Sequence, residues 1–263
     1  SGSAGDHDMT AAAQREALFE YLLRLGDNCL ILGHRLSEWC GKGPVLEEDI
    51  ALSNIALDLV GQSTLWLDLA ATVEGAGRDA DALAFKRDVL DWRNFLLVEQ
   101  PNGDFAHTIV RQFLFDCFHV ELLQALTKSA NQEVANIAAK AIKEAVYHRR
   151  HSGQWVIRLG DGTEESRARA QAALEQLWGY TKELFDGDAI DEMMMQAGIA
   201  IDPGDFHENW RDAVTAVLSE ATLTVPEASW SIGGGKKGVH SEHLGFLLAE
   251  MQFLPRAYPD AKW

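Results

Sequence analysis

Acid and imidazole side chains recur at helical spacing in four separate stretches of the sequence. Asp27, Ile31, His34 and Glu38 follow at steps of four, three and four, as do Asn54, Asp58, Gly61 and Leu65. A third run, Phe105, Ile109, Gln112, Asp116, His119, Leu123 and Leu126, is apolar at its ends and polar in its middle. A fourth, Val134, Ile137, Ala141, Glu144, His148, His151 and Trp155, repeats that pattern. Residues three or four apart share a helix face, so each run predicts carboxylate or imidazole groups near mid-helix on an inward side. Groups gathered in that way either ligate metal ions or compensate one another in a buried network.

The elements that would position them are legible from the apolar residues. Leu18, Leu22, Leu25, Cys29, Leu32, Leu36 and Trp39 form one stripe ending at Gly41-Lys42-Gly43-Pro44, and Leu52, Ile55, Leu59, Gln62, Trp66, Leu69 and Val73 form a second ending near Gly75-Ala76-Gly77. Two long helices joined by a short Gly/Pro loop lie antiparallel. A shorter helix is expected over about Ala82 to Val98, and the Pro101-Asn102-Gly103-Asp104 turn precedes a third long helix over Phe105 to Ser129. A fourth runs from Val134 to Leu159, and Thr163 caps a fifth. Asp202-Pro203 opens a helix to about Ala221, Ser241 caps the last one to about Leu254, and a glycine-rich segment spans Thr224 to His240. No alternating run demands a sheet and no repeat of fixed period is present. The expected fold is all-α, a helical bundle with additional C-terminal helices.

Four mid-length polar clusters match the ferritin-like carboxylate bundle, in which a Glu from each of two helices and a Glu-x-x-His from each of the other two hold two metal ions. Asp27 to Asp58 is 31 residues and Gln112 to Glu144 is 32, lengths that suit ligands on antiparallel neighbours. Yet none of the nine histidines has a Glu three residues before it; the two Asp-x-x-His matches, Asp104/His107 and Asp116/His119, lie on or beside one helix. Two readings of Asp27, Asp58, Asp116, His119, Glu144 and His148 stand side by side: a divergent metal site, or a degenerate one kept as a metal-free core network. His148/His151 and His240/His243 lack the third ligand and general base of a catalytic zinc site. Met193-Met194-Met195 suits a flexible core plug, and most of the eight tryptophans are expected in the core. Lys236 and Lys237 sit in a glycine-rich loop without the P-loop pattern; they are candidates for contacting a partner's acids or a coenzyme phosphate, the alternative being a mobile connector.

The 263 residues carry 23 Lys and Arg against 40 Asp and Glu, a net charge of −17. Such an excess of acid argues against nucleic-acid or anionic-membrane binding, and no uncharged run approaches the roughly 18 residues of a membrane span. Three widely spaced cysteines without a CxxC pair point to reduced thiols and a cytoplasmic protein. Residues 1–10 open on Ser1-Gly2-Ser3-Ala4-Gly5, read as a disordered tag remnant. Residues 11–263 are expected to form a single domain.

Several longer blocks carry a specific resemblance: LILGHRLSEWCG from Leu30, LEEDIALSNIALDLVGQ from Leu46, LVEQPNGDFAHTIVRQFLFD from Leu97, YHRRHSGQWVIRLGDGTEES from Tyr147 and GGKKGVHSEHLG from Gly234. Over about residues 14 to 263 the chain resembles the structural subunit of the bacterial multicomponent phenylacetyl-CoA epoxidase, the PaaC family. The resemblance implies a ferritin-like, metal-free and non-catalytic chain that supports a homologous di-iron catalytic subunit of the PaaA type. It also implies a small subunit and a reductase carrying FAD and an iron–sulfur centre and drawing on NADPH, the complex epoxidising the ring of phenylacetyl-CoA in aerobic phenylacetate degradation. No residue is carried over as catalytic. The competing expectation is a divergent di-iron oxygenase active in its own right.

Overall fold

The computed structural model describes residues 3–227 and 229–261, with side chains from Thr10 onward. Four long helices make the bundle: α1 Ser3–Ser37, α2 Leu46–Glu74, and, after two short helices α3 Ala80–Phe85 and α4 Leu96–Glu99, α5 Phe105–Leu126 and α6 Gln132–Gly160. α1 packs along α2, α5 packs along α6, and α2 meets α6 to close the bundle. Around it lie α7 Glu164–Leu177, α8 Ala189–Gln196, α9 His207–Glu220, α10 Glu242–Met251 and α11 Phe253–Ala257. α7 packs on α5 and α6, and α8 packs on α1. No strand occurs among the described residues, so the all-α, ferritin-like bundle with extra C-terminal helices is the architecture found.

Local chemistry sets most boundaries. Gly75 ends α2 in the left-handed conformation (φ 69°), its N–H donating to Ala71 O. Asp104 caps α5 by accepting from His107 N, Asn131 caps α6, and Thr163 and Ser166 form a reciprocal capping box at α7. α5 is buried almost all round, from Ala106 to Val120, as a central helix must be. Trp66, Trp92 and Trp210 are fully buried and Trp230 is 42% exposed; Trp263 lies outside the described residues. Met194 fills core space, while Met195 is exposed.

Five expectations need correction. The segment set apart at residues 1–10 is helical from Ser3; Ala11-Ala12-Ala13 favours extending a helix that already exists, since propagation is cheap once a nucleus has formed. Ser1 and Gly2 lie outside the described residues. The helix expected over Ala82 to Val98 is interrupted: Trp92 to Phe95 is extended, and its backbone N–H groups bond to α1, Arg93 N to Asp27 Oδ2 at 2.8 Å and Phe95 N to Asn28 Oδ1 at 2.8 Å. Ser241 does not cap α10; its hydroxyl and N–H both donate to Glu99. The second polar run faces outward, since Asn54 and Gly61 are exposed and Asp58 half-buried, the inner stripe of α2 being Leu52, Ile55, Leu59, Gln62 and Trp66. Finally, α2 is long and apolar enough to cross a membrane by length and composition, with a mean hydropathy of 1.2, although 44% of that stretch is buried within the bundle.

Candidate functional site

The mid-bundle layer is built on α5. Gln112, Asp116 and His119 point inward, and each meets a different neighbour. Asp116 is 1% exposed; Gln112 Nε2 donates to one carboxylate oxygen at 2.9 Å and Ser152 Oγ of α6 to the other at 2.8 Å. Burial pushes its pKa up to about 6, against the pull of His148, Ser152 and Gln112. His119 Nε2 lies 3.9 Å from Cys29 Sγ of α1, and Cys29 in turn points its thiol at Gln62 Oε1 of α2, 3.7 Å away. Burial, helped by the nearby His148, lowers the His119 pKa to about 3, so the ring is neutral at physiological pH. Burial also raises the Cys29 thiol far above its usual value, with Glu144 and Asp27 acting in the same direction. In the absence of metal the pair is thiol and neutral imidazole.

A second group joins α2 to α6 at the bundle's edge. His148 Nε2 lies 2.9 Å from Asp58 Oδ2, and His151 Nε2 lies 2.8 Å from Glu48 Oε2. The hydrogen bond from His148 holds Asp58 below the ordinary carboxylate range. Glu144 is pushed up to about 7 by burial and then by the hydrogen bond and charge of Asp58. Near neutral pH Glu144 is therefore only partly ionised beside an ionised Asp58, and the pair carries less than two negative charges.

Asp27 belongs to neither group. It is completely buried and bound by Arg87, whose two terminal nitrogens reach its oxygens at 3.0 and 2.5 Å, and by Arg93 N. The Arg87 guanidinium also lies 4.4 Å from the centre of the Trp92 ring. The six candidate positions thus separate into Asp116 with His119, Asp58 with Glu144 and His148, and Asp27 alone, because each carboxylate has a nearer partner than the bundle axis.

These donors do not fit a carboxylate-bridged two-metal centre. Such a site uses four carboxylates and two imidazoles aimed at one point. Here the positions facing the axis hold a thiol, two carboxamides, a single imidazole and one carboxylate whose oxygens are both engaged. Among the described residues no three His, Cys, Asp or Glu side chains are arranged to hold a metal ion. His148 and His151 likewise direct their Nε2 atoms to separate carboxylates instead of converging. Cys29 and Gln62 stood inside the apolar stripes of α1 and α2; a thiol and an amide amid leucines were the signal for the layer.

The glycine-rich loop is fastened to the bundle rather than a loose connector. Lys236 is 9% exposed and donates to Asp191 Oδ2 at 2.9 Å and Asp186 O at 2.5 Å, so its candidacy as a ligand contact is corrected to an interior ion pair. Lys237 is exposed. Glu183 accepts from the N–H groups of Gly234 and Lys236, and a Cβ at Gly235 would collide with Asn94 O, so only glycine permits that approach. Beyond it, His240 places Nδ1 2.8 Å from Glu99 Oε2 and Nε2 2.9 Å from Trp92 O. Two acceptors require two N–H groups, and the ring is therefore an imidazolium. Burial alone would lower its pKa, but Glu99 and the Trp92 carbonyl outweigh that and leave it raised. The zinc reading of His240 and His243 has no support in this arrangement.

With this geometry in hand, comparison with known proteins is informative. The family model described as phenylacetic acid catabolic protein matches residues 3–263. A subunit of the 1,2-phenylacetyl-CoA epoxidase of Escherichia coli (strain K12) is 52% identical over 246 residues, covering 94% of this chain and 99% of that protein.

Proposed function

The chain belongs to the family of phenylacetic acid catabolic proteins, and from that premise we propose that it is the structural subunit of an aerobic phenylacetyl-CoA epoxidase. In this reading it binds no metal and carries out no chemistry. Its homologous di-iron partner does the epoxidation, and a small subunit and a reductase with FAD, iron–sulfur and NADPH complete the complex in the cytoplasm. The carrying observation is the donor set of the axial layer. Where a carboxylate bundle needs metal ligands, this chain has Cys29, Gln62 and Gln112 with the single imidazole His119, and the carboxylate of that layer, Asp116, is bonded on both oxygens. A bundle that keeps its helices but fills its centre this way retains the long helical faces on which a related bundle can pack.

The test is elemental analysis of the chain purified alone from iron-supplemented cells, together with co-expression of the di-iron subunit. The expected result is negligible iron and co-purification in a stable complex. About two irons per chain would overturn the structural role in favour of a divergent oxygenase, with Asp58, Glu144, His148, Asp116 and His119 as the residues to substitute.

A further inference from the structure

The outer face of α6 runs against the charge of the whole molecule. Its 29 residues contain Lys140, Lys143, Arg149, Arg150 and Arg158 against Glu133 and Glu144. Every other helix of eight or more residues has more acids than bases, and α2 beside it has six acids and no Lys or Arg. Lys140, Lys143, Tyr147, Arg150, Gln154 and Arg158 are all exposed, and their spacing places them along the solvent side of the helix.

Most of these cations are unpaired among the described residues, as are Lys42, Lys128, Lys182 and Arg211 elsewhere on the surface, but only on α6 do they form a row. Elsewhere on the surface, arginines 78, 93, 169 and 256 each hold a carboxylate within 3.3 Å. On α6 only Arg149 has one, Glu121 at 3.9 Å; Lys140, Lys143, Arg150 and Arg158 have none among the described residues. Two of them lie instead over aromatic rings, Arg150 at 5.8 Å from Tyr147 and Arg158 at 5.2 Å from Trp155. Such stacking steadies a guanidinium while leaving its N–H edge free for carboxylates.

Apolar surface lies next to the row. Tyr147 is 46% exposed, and Leu57 of α2 is 69% exposed; they adjoin His148 and Asp58, which bond to each other across the helix pair. Ile50, 53% exposed, continues that surface along α2. From Lys140 to Arg158 the row is about 27 Å long, enough to span one side of a standard protein interface.

We propose that this face docks an acidic protein surface of another subunit of the same complex, with Tyr147 and Leu57 at the apolar centre and the Lys/Arg row pairing with carboxylates around it. The proposal rests on the reading of this chain as an epoxidase subunit. A chain of charge −17 repels an acidic partner on balance, so a row of cations on one helix favours where and in which orientation that partner lands.

The test measures binding of this chain to the purified catalytic subunit, small subunit and reductase, each immobilised singly, at about 50 and 200 mM NaCl. The unmodified chain is expected to bind at least one of them with a Kd that rises roughly tenfold between the two salts. The Lys140→Glu/Lys143→Glu/Arg150→Glu variant should weaken that same partner roughly tenfold or more at low salt and leave the others within about twofold. Affinities of the triple variant equal to those of the unmodified chain for all three partners would overturn the docking proposal with the epoxidase reading intact, whereas no binding by the unmodified chain would overturn both. Binding of duplex DNA or of a second copy of the chain, lost on the same reversal and tighter than any subunit, would also overturn it. Should circular dichroism show the triple variant unfolded, Lys140→Gln/Lys143→Gln takes its place, with a roughly threefold loss expected and an unchanged Kd counting against the proposal.

Discussion

Asp116 shows how one buried side chain ties pH to stability. Its pKa is raised from 3.8 to about 6 in the folded chain, so the native state holds a proton that the unfolded chain has released. Between those two values stability falls as pH rises, and it stays lower above about 6, by an amount on the order of 3 kcal/mol for this fully buried group. Glu144, raised to about 7, acts in the same direction, while Asp58, lowered by His148, contributes stability that is lost as pH falls through its folded value. Urea melts from pH 4.5 to 8 should show Asp116→Asn flattening the decline, and an unchanged slope would mean that Asp116 does not titrate in the native protein. Arg87→Ala should be harsher, about 3 to 5 kcal/mol, because it strands Asp27 at zero exposure; a loss under 1 kcal/mol by denaturant melting would contradict the buried pair. The types of these residues were visible in sequence. Their partners were not: Asp27 answers to Arg87, 60 residues away, and Lys236 to Asp191, 45 away, and no helical period links such positions.

Among the elements, the long helices were readable because each carries its own evidence, an apolar stripe and a capping residue. Asp104, Asn131, Thr163 and Gly75 mark ends that the structure keeps. Where the sequence misled, tertiary bonds decided the backbone. The stretch from Trp92 to Phe95 has no Pro or Gly to break a helix, yet Asp27 and Asn28 of α1 draw its N–H groups out of the helical ladder. The 233–241 segment is the opposite case, glycine-rich enough to read as loose and fastened at Glu183, Asp191 and Glu99. Gly235→Ala should undock it, since the added methyl runs into Asn94 O. Hydrogen exchange should then lose protection through residues 234–241 while α1 and α2 stay protected; unchanged protection would show the loop free to move aside.

At the scale of the whole molecule, the side chains described on α1 are exposed over residues 10–16 and first buried at Ala17. The chain closes on itself late. Arg24 bonds to Asp188 across 164 residues, and Glu99 to His240 across 141, so these two buried charges of the first hundred residues are answered by the last third. On a ribosome adding about 5 to 20 residues per second, Glu99 waits on the order of 10 s for its imidazolium. During that interval Arg24 of α1 and Glu99 of α4 are without these partners. The nascent chain is thus a client for chaperones until its C-terminal segment emerges, and truncations there should be cleared by proteases although every long helix is present.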